Sequence, residues 1–143
     1  MHDTFDLSRF VEAQRPVFDR VLDELRAGRK TSHWMWFIFP QIQGLGRSEM
    51  AERFAISGAA EAEAYLRHDL LGPRLEACVE MLMQHRDKSA RQIFGSPDDL
   101  KLRSCLTLFA SVRPETPSYR QALDQFYSGE LDTKTLSLLE PGT

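Results

Sequence analysis

The chain is poor in metal-binding and disulfide-forming residues: 143 residues hold two cysteines and four histidines. His2, His33, His68 and His85 are scattered and share no ligand spacing with Cys78 or Cys105, so no metal site is expected. Two cysteines cannot supply a disulfide framework. Both fall within helical apolar patterns and read as buried free thiols in a reducing cytoplasm. Long apolar runs are also missing, and no stretch approaches the roughly 18 residues of a membrane span. The N-terminus, Met1 to Asp6, is acidic and has no apolar run, so it does not read as a signal peptide. Positive charge is not in excess. Eighteen Lys and Arg stand against 21 Asp and Glu, a net charge of -3, and no helix face gathers the basic residues. Neither nucleic acid nor an anionic membrane is therefore an expected partner. No Gly-x-Ser-x-Gly elbow and no Walker loop occurs. No cofactor motif is present either.

What is there is helical. Hydrophobic residues make up 42% and charged residues 27%, the balance of a globular domain. At this length the chain reads as one domain over residues 1–143, with a core spanning about 5–140. Val17, Phe18, Val21, Leu22 and Leu25 follow the rhythm of one helix face, and Gly28 stops it. Leu71, Leu75, Cys78, Val79 and Leu82 make a second stripe. Leu102, Cys105, Leu106, Phe109 and Val112 make the longest, and Tyr119, Ala122, Leu123, Phe126 and Tyr127 make another. No segment offers itself as a strand with a partner. The spacing predicts an all-α, compact bundle of about six to eight helices.

The most informative stretch runs from Lys30 to Gln41, Lys-Thr-Ser-His-Trp-Met-Trp-Phe-Ile-Phe-Pro-Gln, and holds both tryptophans. With no strand to pair with, it reads as a short buried helix capped by Ser32 and ended by Pro40. A helix apolar nearly all round must be surrounded by others, which predicts that Ser32 to Pro40 is the centre of the bundle and its most buried part. Aromatics also make the flat walls of ligand pockets. Trp34 and Trp36 are therefore candidates for a wall, with His33 beside them as acid, base or hydrogen-bonding group. Lys30 stands ahead of the helix, where a cation gains nothing from the helix dipole and would suit a ligand anion. The loop that follows, Gln41-Ile-Gln-Gly-Leu-Gly-Arg-Ser48, has glycines that admit a ligand close to the backbone. Gln41 and Arg47 are its candidate contacts, and Ser48 is placed to cap the next helix.

A second polar set lies at Ser96-Pro-Asp-Asp-Leu-Lys-Leu-Arg-Ser104. Ser96 reads as a helix cap with Pro97 at the first position, and Asp98 pairs with Lys101 one turn on. Asp98, Lys101 and Ser104 share a face bordering the inward stripe, and a polar row there would line a cleft. The sequence therefore points to a composite site: His33, Asp98 and Lys101 as catalytic candidates, and Lys30, Trp34, Trp36, Gln41, Arg47 and Ser104 as ligand contacts.

Phe10 with Glu12-Ala-Gln14, Ser32-His-Trp-Met-Trp-Phe-Ile-Phe-Pro-Gln41, Gly44-Leu-Gly-Arg-Ser48, Ala64-Tyr-Leu66, Ile93-Phe-Gly95 and Asp98-Asp-Leu-Lys-Leu-Arg-Ser104 together resemble the domain of unknown function family 1810. These are small, mainly bacterial proteins, sometimes labelled calpastatin. The resemblance covers about residues 5–140 and implies a compact all-helical fold, while bringing no activity with it. Cys105 departs from the family pattern, where serine or methionine is expected. The calpastatin label does not suit a chain with this many periodic apolar residues, because calpain inhibitors are disordered. The chain is also distantly similar to small helical proteins that act on ADP-ribose-linked substrates. The expectation is a domain that binds a small anionic, nucleotide-like or ADP-ribose-like ligand, with or without catalysis. The alternative is an interaction module in which the aromatics are core only. Oligomeric state is not legible.

Overall fold

The computed structural model describes residues 3–139. Ten helices follow one another: α1 (Ser8–Gln14), α2 (Phe18–Ala27), α3 (Met35–Ile38), α4 (Glu49–Arg53), α5 (Ala59–Arg67), α6 (Leu71–Met83), α7 (Ala90–Phe94), α8 (Asp98–Val112), α9 (Pro117–Tyr127) and α10 (Thr133–Leu139). The fold is all-α, and among the described residues there is no sheet. An isolated parallel bridge pairs Ile42 with Ile56.

The fifteen-residue α8 is the axis, with α5, α7, α9 and α10 packed around it. Ser104 to Ala110 is an unbroken buried run. The aromatic segment is thus not the most buried part of the chain, as its composition suggested. α8 takes that place because its polar members carry their own partners. Thr107 Oγ1 donates to the Arg103 carbonyl at 2.8 Å and accepts from the Asp132 amide at 3.0 Å. Ser104 Oγ bonds the Leu100 carbonyl at 3.3 Å and the Asp132 carboxylate at 2.9 Å. Satisfied hydroxyls can be buried at little cost. A ladder of rings crosses this axis, Phe10 on Tyr65, Tyr65 on Phe109, Phe109 on Tyr119, with centroids 5.1, 5.5 and 5.9 Å apart.

α2 ends where the stripe predicted, with Gly28 in the left-handed region at φ 74°. Its last carbonyls are met from the turn after α6: His85 Nε2 lies 2.6 Å from the Leu25 oxygen, and Lys88 Nζ donates to the Gly28 oxygen at 3.2 Å. Ser48 caps α4 as expected, accepting from the Ala51 amide at 3.1 Å. Two other expected caps fail. α8 begins at Asp98 behind Pro97, and no side chain caps it; Ser96 takes no part. α3 is a single turn beginning at Met35, without a side-chain cap. Ser32 is drawn away from it by Glu24.

Glu24 is buried and gathers four donors: the amides of Thr31 and Ser32 at 2.8 and 3.0 Å, the Ser32 hydroxyl at 2.6 Å and the Trp34 indole at 2.9 Å. Burial raises its pKa. The hydrogen bonds, led by the Ser32 hydroxyl, outweigh that and bring the carboxyl from an ordinary 4.5 to about 2. One ionised carboxylate thereby shapes the whole entry to α3.

Candidate functional site

The cations placed at the start of the aromatic segment and of α8 converge, as the composite reading required, but onto one another. Asp98 receives Lys30 Nζ at 3.0 Å and Lys101 Nζ at 3.4 Å. Lys30 also donates to the Ser32 carbonyl at 2.6 Å, lies 5.1 Å from the Trp34 ring centre, and is only 8% exposed in its side chain. Lys101 sits 5.2 Å from the centre of the Trp36 ring. A first-turn aspartate thus supplies the counter-charge that a ligand anion was expected to bring. Trp34 itself is core, 1% exposed and tied to Glu24.

Trp36 is half-buried and turns a surface toward solvent, where it forms one wall of a cleft of about 540 Å³. Opposite it run the loop from Gln41 to Arg47 and the outer side of α4. Ile42 and Phe54 make the floor, and Phe54 packs in turn on Phe10 and Phe37, with centroids 5.6 and 5.3 Å apart. The loop and the segment that follows α4 are fastened together at the Ile42–Ile56 bridge. The Gln43 amide donates to the Ile56 carbonyl at 2.7 Å, and the Ile56 amide to the Gln41 carbonyl at 2.8 Å. Gly46 passes so close to α4 that an added Cβ would lie 2.6 Å from the Ala51 methyl. The glycine is therefore required by close approach, and the loop keeps its place against the helix because of it.

Four polar side chains border this cleft: Gln41, Gln43, Arg47 and Glu52. Among the described residues none of the four makes a side-chain hydrogen bond or ion pair within the protein. That sets them apart from Lys30, Asp98, Lys101, Glu24, Arg9 and Glu61, all of which are engaged. Arg47 is an exposed guanidinium, and Glu52 an exposed carboxylate on the same rim.

Of the nine candidate residues, Trp36, Gln41 and Arg47 border the cleft. Lys101 touches it through Trp36, and Asp98 and Lys30 stand behind Lys101. His33 is exposed and outside the lining. Ser104 is buried against Asp132, at the α10 side of α8. Gln43 and Glu52 were missed, since an exposed glutamine or glutamate carries no sequence signal of its own. Among the described residues no three His, Cys, Asp or Glu side chains are grouped to hold a metal ion.

Two buried polar clusters also escaped the sequence reading. Arg9 Nη2 meets Glu61 at 2.8 Å, and the same guanidinium donates to the carbonyls of Phe5, Asp6, Arg53 and Ala55. Gln14 donates to the Phe37 carbonyl at 2.8 Å and the Tyr65 hydroxyl at 3.2 Å, and accepts from Arg74 at 3.1 Å. Both stitch α1 to the segments that carry the cleft, so they read as scaffold.

The chain belongs to the family described as "Protein of unknown function (DUF1810)", whose model matches residues 4–139. Its structure is similar to the crystal structure of the conserved hypothetical protein Rv1873 from Mycobacterium tuberculosis, determined at 1.38 Å. The two share 52% sequence identity at a TM-score of 0.94, over 96% of this chain and 98% of that one. No curated protein matches. Among the described residues no helix is long and apolar enough to cross a membrane.

Proposed function

We propose that this chain is a cytoplasmic small-molecule-binding domain whose site is the cleft between Trp36, the 41–47 loop and α4, and that its ligand is anionic and nucleotide-like or ADP-ribose-like. The observation that carries the reading is the set of uncommitted polar groups. Among the described residues Arg47, Glu52, Gln41 and Gln43 make no side-chain bond and stand together around an aromatic wall, whereas Lys30 and Lys101 behind it are closed on Asp98. A cleft of about 540 Å³ falls within the roughly 300–1,000 Å³ of small-ligand sites. Arg47 suits a phosphate or carboxylate, Trp36 a flat ring or the face of a sugar, and the glutamines directional contacts. Catalysis by His33, Asp98 and Lys101 would require the Asp98 carboxylate to leave two lysines. The proposed activity is therefore binding.

A second reading, an interaction module with the aromatics as core, draws on the burial of Trp34, Phe37 and Phe39. A thermal-shift screen against nucleotides, ADP-ribose and sugar phosphates separates the two. A ligand at 100 times its dissociation constant stabilises the fold by about 2.7 kcal/mol, a rise of several degrees in Tm. The proposal expects that shift in the native protein and its loss in Arg47→Ala. A shift unchanged in Arg47→Ala places the ligand elsewhere, and no shift with any compound favours the interaction module.

A further inference from the structure

Among the described residues the rim of the cleft carries one unpaired cation and one unpaired carboxylate, and they do not neutralise each other. No ion pair joins Arg47 to Glu52, and neither has another partner among the described residues. A carboxylate on the rim of an anion site lowers affinity for a bare anion, so its presence there calls for something it can accept from. Two kinds of ligand group would serve, a cation or a set of hydroxyls. A ligand cation would have to lie near Trp36, where the Lys101 ammonium already sits 5.2 Å from the ring centre. Two like charges on one ring repel, and the cation–π contact there is taken. Hydroxyls meet no such opposition. They donate to a carboxylate in charge-assisted hydrogen bonds, while the carbonyl and amide of Gln41 and Gln43 reach those that remain. The face of a sugar ring is also the kind of surface that a half-exposed tryptophan covers.

We infer that Arg47 and Glu52 divide the ligand between them, Arg47 taking its anionic group and Glu52 its hydroxyls, so that the cleft selects a polyhydroxylated anion of the sugar-phosphate class. The inference rests on the cleft being the binding site, as proposed above. It adds that Glu52 sets the specificity and Arg47 the charge requirement.

Isothermal titration calorimetry tests it with two probes that share a phosphate, ribose 5-phosphate and n-propyl phosphate, the second without hydroxyls. The proteins are the full native chain, Glu52→Ala and Arg47→Ala. Both substituted positions are exposed, so thermal melts should find both variants folded. The native protein should bind the sugar phosphate at least about tenfold more tightly, the worth of a hydrogen bond to a charged group. In Glu52→Ala that preference should fall close to one, with n-propyl phosphate bound as well as before or slightly better. In Arg47→Ala both probes should weaken by the same factor, with the preference kept. If the native protein binds both probes equally, or if Glu52→Ala keeps the preference, the inference about Glu52 is wrong while the anion site stands. If neither probe gives heat or a thermal shift with the native protein, both the inference and the site beneath it fall.

Discussion

Glu24 offers the sharpest test of how the site is held. Its carboxylate fixes Thr31, Ser32 and Trp34 through four hydrogen bonds of 2.6 to 3.0 Å, and Trp34 leads directly into the turn that presents Trp36. Its pKa of about 2, against an ordinary 4.5, corresponds at roughly 1.4 kcal/mol per pH unit to on the order of 3 kcal/mol of stability at neutral pH. The sign follows from the depressed value. The contribution is full above about pH 4.5, where the unfolded chain is also ionised, and drains away as pH falls toward about 2. Glu24→Gln keeps the shape but turns amide protons toward groups that are themselves donors, and should cost about 2–4 kcal/mol at neutral pH. Urea melts followed by tryptophan fluorescence, run from pH 7 to pH 2.5, measure the gap between the native protein and the variant. It should be largest at pH 7 and close as the medium is acidified below about 4.5. A gap under about 1 kcal/mol at neutral pH, or one that stays constant down to pH 2.5, refutes the assignment.

The two tryptophans should separate in the same melts. Trp34→Ala empties a site that is 1% exposed and should cost about 3–5 kcal/mol, whereas Trp36→Ala removes a half-exposed ring and should cost roughly 1–2 kcal/mol. Equal costs would contradict the placement of Trp36 at the cleft. The thiols should be inert in the native protein: burial pushes Cys78 up to about 12, and burial with Cys78 nearby pushes Cys105 well above its ordinary value. A thiol-reactive disulfide at pH 8 should label neither until urea unfolds the chain, and fast labelling of either in the folded state would place it near the surface.

The long helices were legible because their apolar spacing is local information. α2, α6, α8 and α9 all lie close to their stripes, and Ser48 caps the helix that begins beside it. Ser32 and Ser96 misled because a cap competes with partners that sequence spacing does not reveal. Ser32 belongs to a carboxylate one helix earlier. Glu24 itself left a trace: it falls beside Val21 and Leu25 on the inward face of α2, as Glu61 does beside Ala62 and Tyr65 on α5. A carboxylate on a buried stripe must have donors, and that rule would have found both. Lys30 and Asp98 were placed in one composite site, but their closing on each other as an ion pair was out of reach, since the tertiary fold decides which groups of such a cluster pair. Of the candidate residues, Trp36, Gln41 and Arg47 border the cleft, while Lys30, Asp98, Lys101, Trp34 and Ser104 are engaged within the protein, which spacing along the chain does not reveal.

The most direct test of the cleft uses the two indole N–H signals of a proton–nitrogen correlation spectrum, assigned with Trp36→Phe, during titration with ribose 5-phosphate. The account predicts that the Trp36 indole and the backbone amides of Gly44, Gly46 and Arg47 move together with added ligand, while the Trp34 indole, held by Glu24 inside the core, stays in place. Movement confined to residues away from the cleft, with the Trp36 indole unchanged at saturation, would contradict it.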